Sequence, residues 1–255
     1  MSRRNRPVNL SAPYLKRVWL DKSRVIDTSA YPFCLPLFHA EFTLVFEHPI
    51  AIIVGENGTG KSIAAMAGYD DAGGGKGYMP VDHSTAVEAT GGRLALALRA
   101  SWLPKITSGW FFKAESFFSV ARYLDRAAIE AGAAPPDFLS HSHGEGFLRF
   151  FKERCDRQGI FIFDEPESAL SPSRQILFLR LLRRIERSGH CQVIMATHSP
   201  ILMAYPGARM LLLSKYGLDP VRLEHTEHFK LIQDFCANPV AFVDTALDDD
   251  SWTID

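Results

Sequence analysis

The chain has 255 residues, with 28 Lys and Arg against 29 Asp and Glu and 47% hydrophobic residues, which excludes disordered, collagen-like and coiled-coil compositions. A formal net charge of -1 excludes a surface built throughout for nucleic acid or anionic membrane, so any such contact must come from a local patch. Cys34, Cys155, Cys191 and Cys236 stand far apart with no C-x-x-C pair, the usage of reduced thiols in a cytoplasmic protein rather than of a zinc site or disulfide framework.

No run reaches the roughly 18 apolar residues that span a bilayer, and the basic start Met1-Ser-Arg-Arg-Asn-Arg6 leads into polar sequence. Neither a transmembrane segment nor a signal peptide is expected. Residues 41–54 alternate and then become continuously apolar, which predicts a strand that ends buried between two layers. Ser62–Gly68 reads as the start of a helix, followed by a glycine-rich linker at Gly73–Gly77. Leu94–Leu98 and Gly109–Phe112 look like strands, and Ser116–Ala131 like a helix.

The second half predicts a buried strand over Gly159–Phe163, an amphipathic helix over Ser173–Ser188 and a second buried strand over Gln192–Ala196. A right-handed crossover places the two strands in one parallel sheet, with their carboxyl ends at the usual ligand crevice. No repeat or long linker interrupts the chain, so the expectation is one α/β domain over 1–255 with its core at about 10–215.

Chemistry concentrates at three places. Gly55-Glu56-Asn57-Gly58-Thr59-Gly60-Lys61-Ser62 fits the P-loop pattern G-x-x-x-x-G-K-S/T and sits between a buried strand and a helix. Gly58 and Gly60 let backbone N–H groups converge on phosphates, Lys61 brings a mobile positive charge, and Ser62 offers a hydroxyl to Mg²⁺. The strand Ile160-Phe-Ile-Phe163 delivers Asp164 and Glu165 to the sheet edge, a Walker B-like pair: Asp164 for Mg²⁺, Glu165 to polarise the attacking water. The bland alternative is a solvated acidic pair opening a turn at Pro166. The next strand ends at Ala196-Thr-His198-Ser-Pro200, with His198 34 residues after Asp164, the span of one crossover.

Together these residues resemble the ATPases with an ATP-binding-cassette (ABC) type of nucleotide-binding domain, including the RecF, Rad50 and SMC relatives. Ser142-His-Gly144-Glu145 is similar to the signature segment of that group, Ser168–Ser171 to its D-loop and His198 to its switch histidine. Trp110–Phe118, Ser142–Glu145 and Ala196–Gly207 look, more narrowly, like stand-alone bacterial ATPases of this branch, and the resemblance covers about residues 10–215. It implies a P-loop fold with a mainly parallel central sheet and small antiparallel and helical excursions. It also implies ATP and Mg²⁺ as cofactors and a homodimer packed head to tail on ATP. There Ser142 and Gly144 would act on the nucleotide held by the partner, with Glu145 beside them as a further cofactor-binding residue, and the helix beginning after them would aim its positive end at the phosphate.

The glutamine that usually links Mg²⁺ to the rest of such a machine is not evident, since Gln158, Gln175, Gln192 and Gln233 fall in the wrong part of the order. Glu115 takes its place as a candidate Mg²⁺ ligand. The adenine-stacking aromatic is open among Tyr14, Trp19, Tyr31, Phe33 and Phe42, with core packing the alternative. Arg174, Arg180, Arg183, Arg184 and Arg187 form a solvated helix face or a DNA contact, and Trp110, Phe111, Phe112, Phe117 and Phe118 a core or a docking surface.

The expected function is Mg-dependent ATP binding and hydrolysis driving a DNA-repair- or defence-like process with a DNA or protein partner. The alternatives are the energy-coupling subunit of a membrane transporter and a nucleotide-gated switch with little turnover. Ser142 follows Ser62 by only 80 residues, which leaves no room for the long coiled coils of Rad50 and SMC.

Overall fold

The computed structural model describes residues 10–55, 94, 96–106, 109–113, 122, 125, 126, 128–135, 143–155 and 157–248. Two sheets carry the architecture. Strands β1 (Leu15–Leu20), β2 (Thr43–Val45), β3 (Ile50–Val54), β4 (Leu98–Trp102), β5 (Gly109–Lys113), β6 (Gly159–Asp164), β7 (Cys191–Ala196), β8 (Arg209–Ser214) and β9 (Gly217–Pro220) divide between them. An antiparallel sheet runs β2-β1-β4, and a second sheet runs β5-β6-β7-β3-β8-β9, parallel except for the β8–β9 pair.

The predicted strand over 41–54 is two strands in different sheets. β2 pairs with β1, and β3 enters the parallel sheet between β7 and β8. The break falls at Glu47-His-Pro49, where proline removes a ladder donor and the chain changes partners. Around Leu94–Leu98 the register also differs: Leu94, Leu96 and Ala97 are helical and the strand begins at Leu98. The remaining strand expectations hold to within a residue or two, as does helix for the described part of 116–131. Ser62–Gly68 and Gly73–Gly77 lie outside the described residues.

The parallel sheet is apolar on both faces because each face is covered. Ile50, Ile52 and Val54 of β3, Phe161 and Phe163 of β6, and Val193 and Met195 of β7 point to one side. There they pack on helices α1 (His143–Arg154) and α2 (Pro172–Ser188) through Phe147, Phe151, Phe178, Leu182 and Ile185. Ala51, Ile53, Ile160, Ile162 and Ile194 face the other way and meet Leu15, Val18, Leu44 and Leu98 of the antiparallel sheet. The period of two along each strand thus sorts one sequence into two cores. Phe112 of the sequence's aromatic cluster is buried, edge-on to Phe147 at 4.6 Å and Phe151 at 5.0 Å.

Two polar devices hold the layers in register. The buried Gln192 amide on β7 accepts from the backbone N–H of Tyr14 (2.9 Å) and Leu15 (2.8 Å) and donates to the Leu15 carbonyl (3.0 Å), so a side chain completes the start of β1. At the end of α2, Gly189 adopts φ 67°, donates to the carbonyls of Ile185 and Glu186, and accepts from Ala12 N–H at 3.0 Å. Beyond β9 lie α4 (Glu227–Ala237) and α5 (Pro239–Asp248), neither with a buried residue, after the short α3 (Pro200–Met203). Among the described residues no helix is long and apolar enough to cross a membrane.

Candidate functional site

Register alone brings the predicted chemistry to one edge. Lys113 of β5 pairs with Asp164 of β6, Asp164 with Ala196 of β7, and Ala196 with Ile53 of β3. Three chain segments therefore leave the sheet side by side: Val54-Gly55 into the glycine-rich loop, Asp164-Glu165-Pro166, and Thr197-His198-Ser199. Two more bonds extend the alignment past the strands, Glu165 N–H to the Ala196 carbonyl at 2.9 Å and Thr197 N–H to the Ile53 carbonyl at 3.3 Å. Gly55 is buried at this edge. Glu56, Asn57, Gly58, Thr59, Gly60, Lys61, Ser62, Glu115 and Ser142 lie outside the described residues.

Asp164 is 1% exposed, whereas the adjacent Glu165 turns outward. The turn is made by the backbone: Glu165 has φ 49° and ψ 55°, a left-handed conformation costing a non-glycine residue about 1–2 kcal/mol, of the kind that persists where surrounding contacts over-determine it. Pro166 then opens a one-turn 3-10 helix, Pro166–Ala169. The result places Glu165 Oε1 3.4 Å from Nε2 of His198, so the two side chains predicted to work on one phosphate meet over the sheet edge.

The segment carrying His198 is held on both flanks. Glu167, in the 3-10 helix, accepts from Thr197 Oγ1 at 2.7 Å and from the His198 backbone N–H at 2.6 Å. Thr197 Oγ1 accepts in turn from Ser199 N–H at 3.0 Å, Ser199 Oγ bonds to Gln175 Oε1 at 2.5 Å, and Gln175 Nε2 donates to the Leu170 carbonyl at 3.0 Å. On its outer side His198 Nδ1 lies 2.8 Å from Nε2 of His228 in the first turn of α4.

Neither Glu167 nor His228 was singled out by sequence. Glu167 sits two residues past Glu165 and just before the Ser168–Ser171 segment that resembles the D-loop, and a third acidic residue following a Walker B-like pair is a signal of sorts. His228 lies beyond residue 215, where the resemblance ends and no motif marks it. Gln175 and Gln192, set aside as Mg²⁺ linkers, have structural tasks: one braces the His198 segment and the other joins the sheets.

His143, Gly144 and Glu145 of the segment resembling a signature form the first turn of α1, so the helix begins within the segment rather than after it. Glu145 is ion-paired with Arg174 of α2 in the same chain. Arg183 pairs with Glu186 at 3.0 Å, while Phe178, Leu181, Leu182 and Ile185 fill the core as the periodicity predicts. Of the aromatic candidates for adenine, Tyr14, Phe33 and Phe42 are buried, Trp19 is half-buried under Arg17 at 4.8 Å, and Tyr31 is exposed. The donor chemistry at the edge fits Mg²⁺: Asp164 is a hard carboxylate held at a strand end, in register with the strand that leads to Ser62.

A parallel sheet with a P-loop sequence after one strand, an acidic pair after the next but one and a histidine after the strand between them is the arrangement that the resemblance to ABC-type ATPases implies. Residues 122–204 match the family described as "AAA domain, putative AbiEii toxin, Type IV TA system". That segment includes Asp164, Glu165, Glu167 and His198. A curated relative, the OLD nuclease of Thermus scotoductus, is 39% identical over 56 residues, which are 22% of this chain and 11% of that protein.

Similar solved structures include the SMC head domain from Thermotoga maritima (TM-score 0.45, 15% identity, covering 82% of this chain and 99% of that one). Another is cbiO1 from Clostridium perfringens, part of the ABC transporter complex cbiONQ (TM-score 0.43, 15% identity, 92% and 100%). A third is the SmcHead bound to the C-winged helix domain of ScpA (TM-score 0.46, 12% identity, 82% and 98%).

Proposed function

We propose that this chain binds Mg-ATP, dimerises head to tail on it and hydrolyses it, as a single cytoplasmic ATPase domain whose core spans about residues 10–215. The observation that carries the reading is the row Ile53, Ala196, Asp164 at one sheet edge, with Glu165 and His198 brought within 3.4 Å above it. The backbone of Gly55–Ser62 cradles the phosphates, and Lys61 bridges their outer oxygens. Ser62, Asp164 and Glu115 would hold Mg²⁺, which when bound neutralises phosphate charge. Glu165 orients the attacking water and takes its proton, and His198 contacts the γ-phosphate through Nε2. Ser142, and Gly144 in the first turn of α1, reach the nucleotide of the other protomer, where the helix N-terminus favours negative charge. Glu145 supports that segment through Arg174.

The work done by the cycle is repair- or defence-like. The family description and the OLD nuclease relative support that direction, with this chain supplying the ATPase part and a DNA or protein partner the rest.

Light scattering of the Glu165→Gln protein with and without Mg-ATP tests the mechanism. The expected result is a monomer that becomes a dimer on Mg-ATP and stays a monomer when Ser142→Arg is added. A Glu165→Gln protein that binds ATP yet remains monomeric refutes the trans assembly.

A further inference from the structure

His228, bonded to His198, lies outside the nucleotide machinery named so far. We infer that His228 is a positioning residue for His198, fixing which imidazole nitrogen faces the phosphate; this rests on the reading of His198 as a γ-phosphate contact.

The argument is one of donors and acceptors. His198 presents Nε2 toward Glu165 Oε1 at 3.4 Å and Nδ1 toward His228 Nε2 at 2.8 Å. A carboxylate and a phosphate oxygen are both acceptors, so Nε2 of His198 has to carry a hydrogen to serve either. In the neutral ring Nδ1 is then a lone pair, and the group 2.8 Å away must donate, which His228 does through Nε2–H. Were His198 to take up a second proton, Nδ1–H would donate to His228 instead, and Nε2–H would still face the edge. In both states the contact leaves Nε2 a donor and pins the ring about its Cβ–Cγ bond, the task that outer-shell partners of functional histidines perform.

His228 is itself placed with some precision. Thr226, 3% exposed, caps α4: its Oγ1 accepts from Phe229 N–H at 3.3 Å and donates to the Leu223 carbonyl at 2.8 Å. His228 is the second residue of that helix, so the cap sets where its ring emerges. The rings are tilted by 47° with centroids 4.9 Å apart, which is a bonded rather than a stacked pair. Nothing else in the chemistry of the edge requires a residue from α4, whose side chains are otherwise half-buried or exposed.

Nitrogen NMR of the nucleotide-free protein labelled with ¹⁵N-histidine tests the pair without reference to turnover. The expected wild-type spectrum has His198 protonated on Nε2, with a scalar coupling across the N–H···N bond to His228. In His228→Phe the coupling is lost and the His198 Nδ1 resonance moves to its unbonded position. A wild type with no such coupling, or a His198 pattern unchanged in His228→Phe, overturns the inference.

In ATPase assays His228→Phe is expected to lower kcat by about tenfold, as loss of outer-shell partners does, with KM for ATP within about twofold. His228→Gln, which keeps a side-chain N–H, restores most of the rate. In a His198→Ala background the substitution of His228 adds no further loss. A rate lost in His198→Ala but unchanged in His228→Phe overturns this inference alone. Rates unchanged in both refute the phosphate contact of His198 and the inference with it.

Discussion

Removing the Glu167 carboxylate tests whether the His198 segment is held by its first flank. In Glu167→Ala two bonds disappear together, from Thr197 Oγ1 at 2.7 Å and from the His198 N–H at 2.6 Å. Bonds to a charged acceptor contribute about 1.5–3 kcal/mol each, and because Glu167 is only half-buried the low end applies, about 3 kcal/mol in all. For a chain of this size that corresponds to a melting temperature lower by about 6–12 °C. Glu167→Gln separates charge from geometry. Its carbonyl still accepts from His198 N–H, but its NH₂ cannot accept the Thr197 hydroxyl proton that Glu167 Oε2 takes, so about half of the loss is expected. Urea denaturation followed by tryptophan fluorescence measures both variants, and nucleotide hydrolysis is measured on the same preparations. An Ala variant within about 1 kcal/mol of wild type and equally active refutes the idea that this carboxylate positions the histidine.

Glu165→Gln is expected to keep ATP binding and to lose about 10²–10⁴-fold in hydrolysis, the contribution of a general base, while Lys61→Ala weakens binding itself; equilibrium binding and single-turnover assays separate the two. A Glu165→Gln protein with full turnover would favour a different route to water activation. Gln192→Leu strands the Tyr14 and Leu15 N–H groups and the Leu15 carbonyl in the interior, at about 1–3 kcal/mol each, so a loss of at least about 3 kcal/mol is expected in the same denaturation assay. Acid stability depends on Glu186, whose carboxyl is held below its usual 4.5 first by the Tyr205 hydroxyl at 2.6 Å and then by Arg183. A carboxyl depressed in the folded state contributes stability above its unfolded value and loses it as pH falls through the folded one. Tyr205→Phe therefore lowers stability at neutral pH and flattens the decline below about pH 4.5, as melting curves across pH 3–7 would register. Equal slopes for the two proteins would count against it.

What the sequence made legible follows from where single residues carry enough meaning. Buried strands β3, β6 and β7 are continuous apolar runs that end in Gly55, Asp164 and Thr197, so both the strands and the edge they share were readable, and the crossover between Asp164 and His198 follows from chain length. The resemblance implied a small antiparallel excursion, but its strands were not located, because Leu15–Leu20 and Leu98–Trp102 mix polar and apolar residues and acquire their meaning only when paired across about 80 residues of chain. Glu47-His-Pro49 falls inside the run 41–54 that reads as one strand, and only the pairing shows a change of sheet. At the site, the residues in motifs were found and those acting on motif residues were missed. Glu167 binds a backbone N–H and a hydroxyl, and His228 a ring nitrogen, and neither task leaves a spacing that a linear pattern can display.

The left-handed turn at Glu165 has a consequence for how this position drifts. At φ 49° glycine sits without cost and asparagine or aspartate with little, so mutation unopposed by selection flows toward those residues. On the proposed reading, a glutamate there goes against the backbone's preference for the sake of its carboxylate. If the proposed hydrolysis through Glu165 holds, a glycine or asparagine at 165 beside an intact Gly55–Ser62 loop in a descendant of this chain would mark a lineage that has exchanged turnover for a more relaxed fold, a difference legible in one codon.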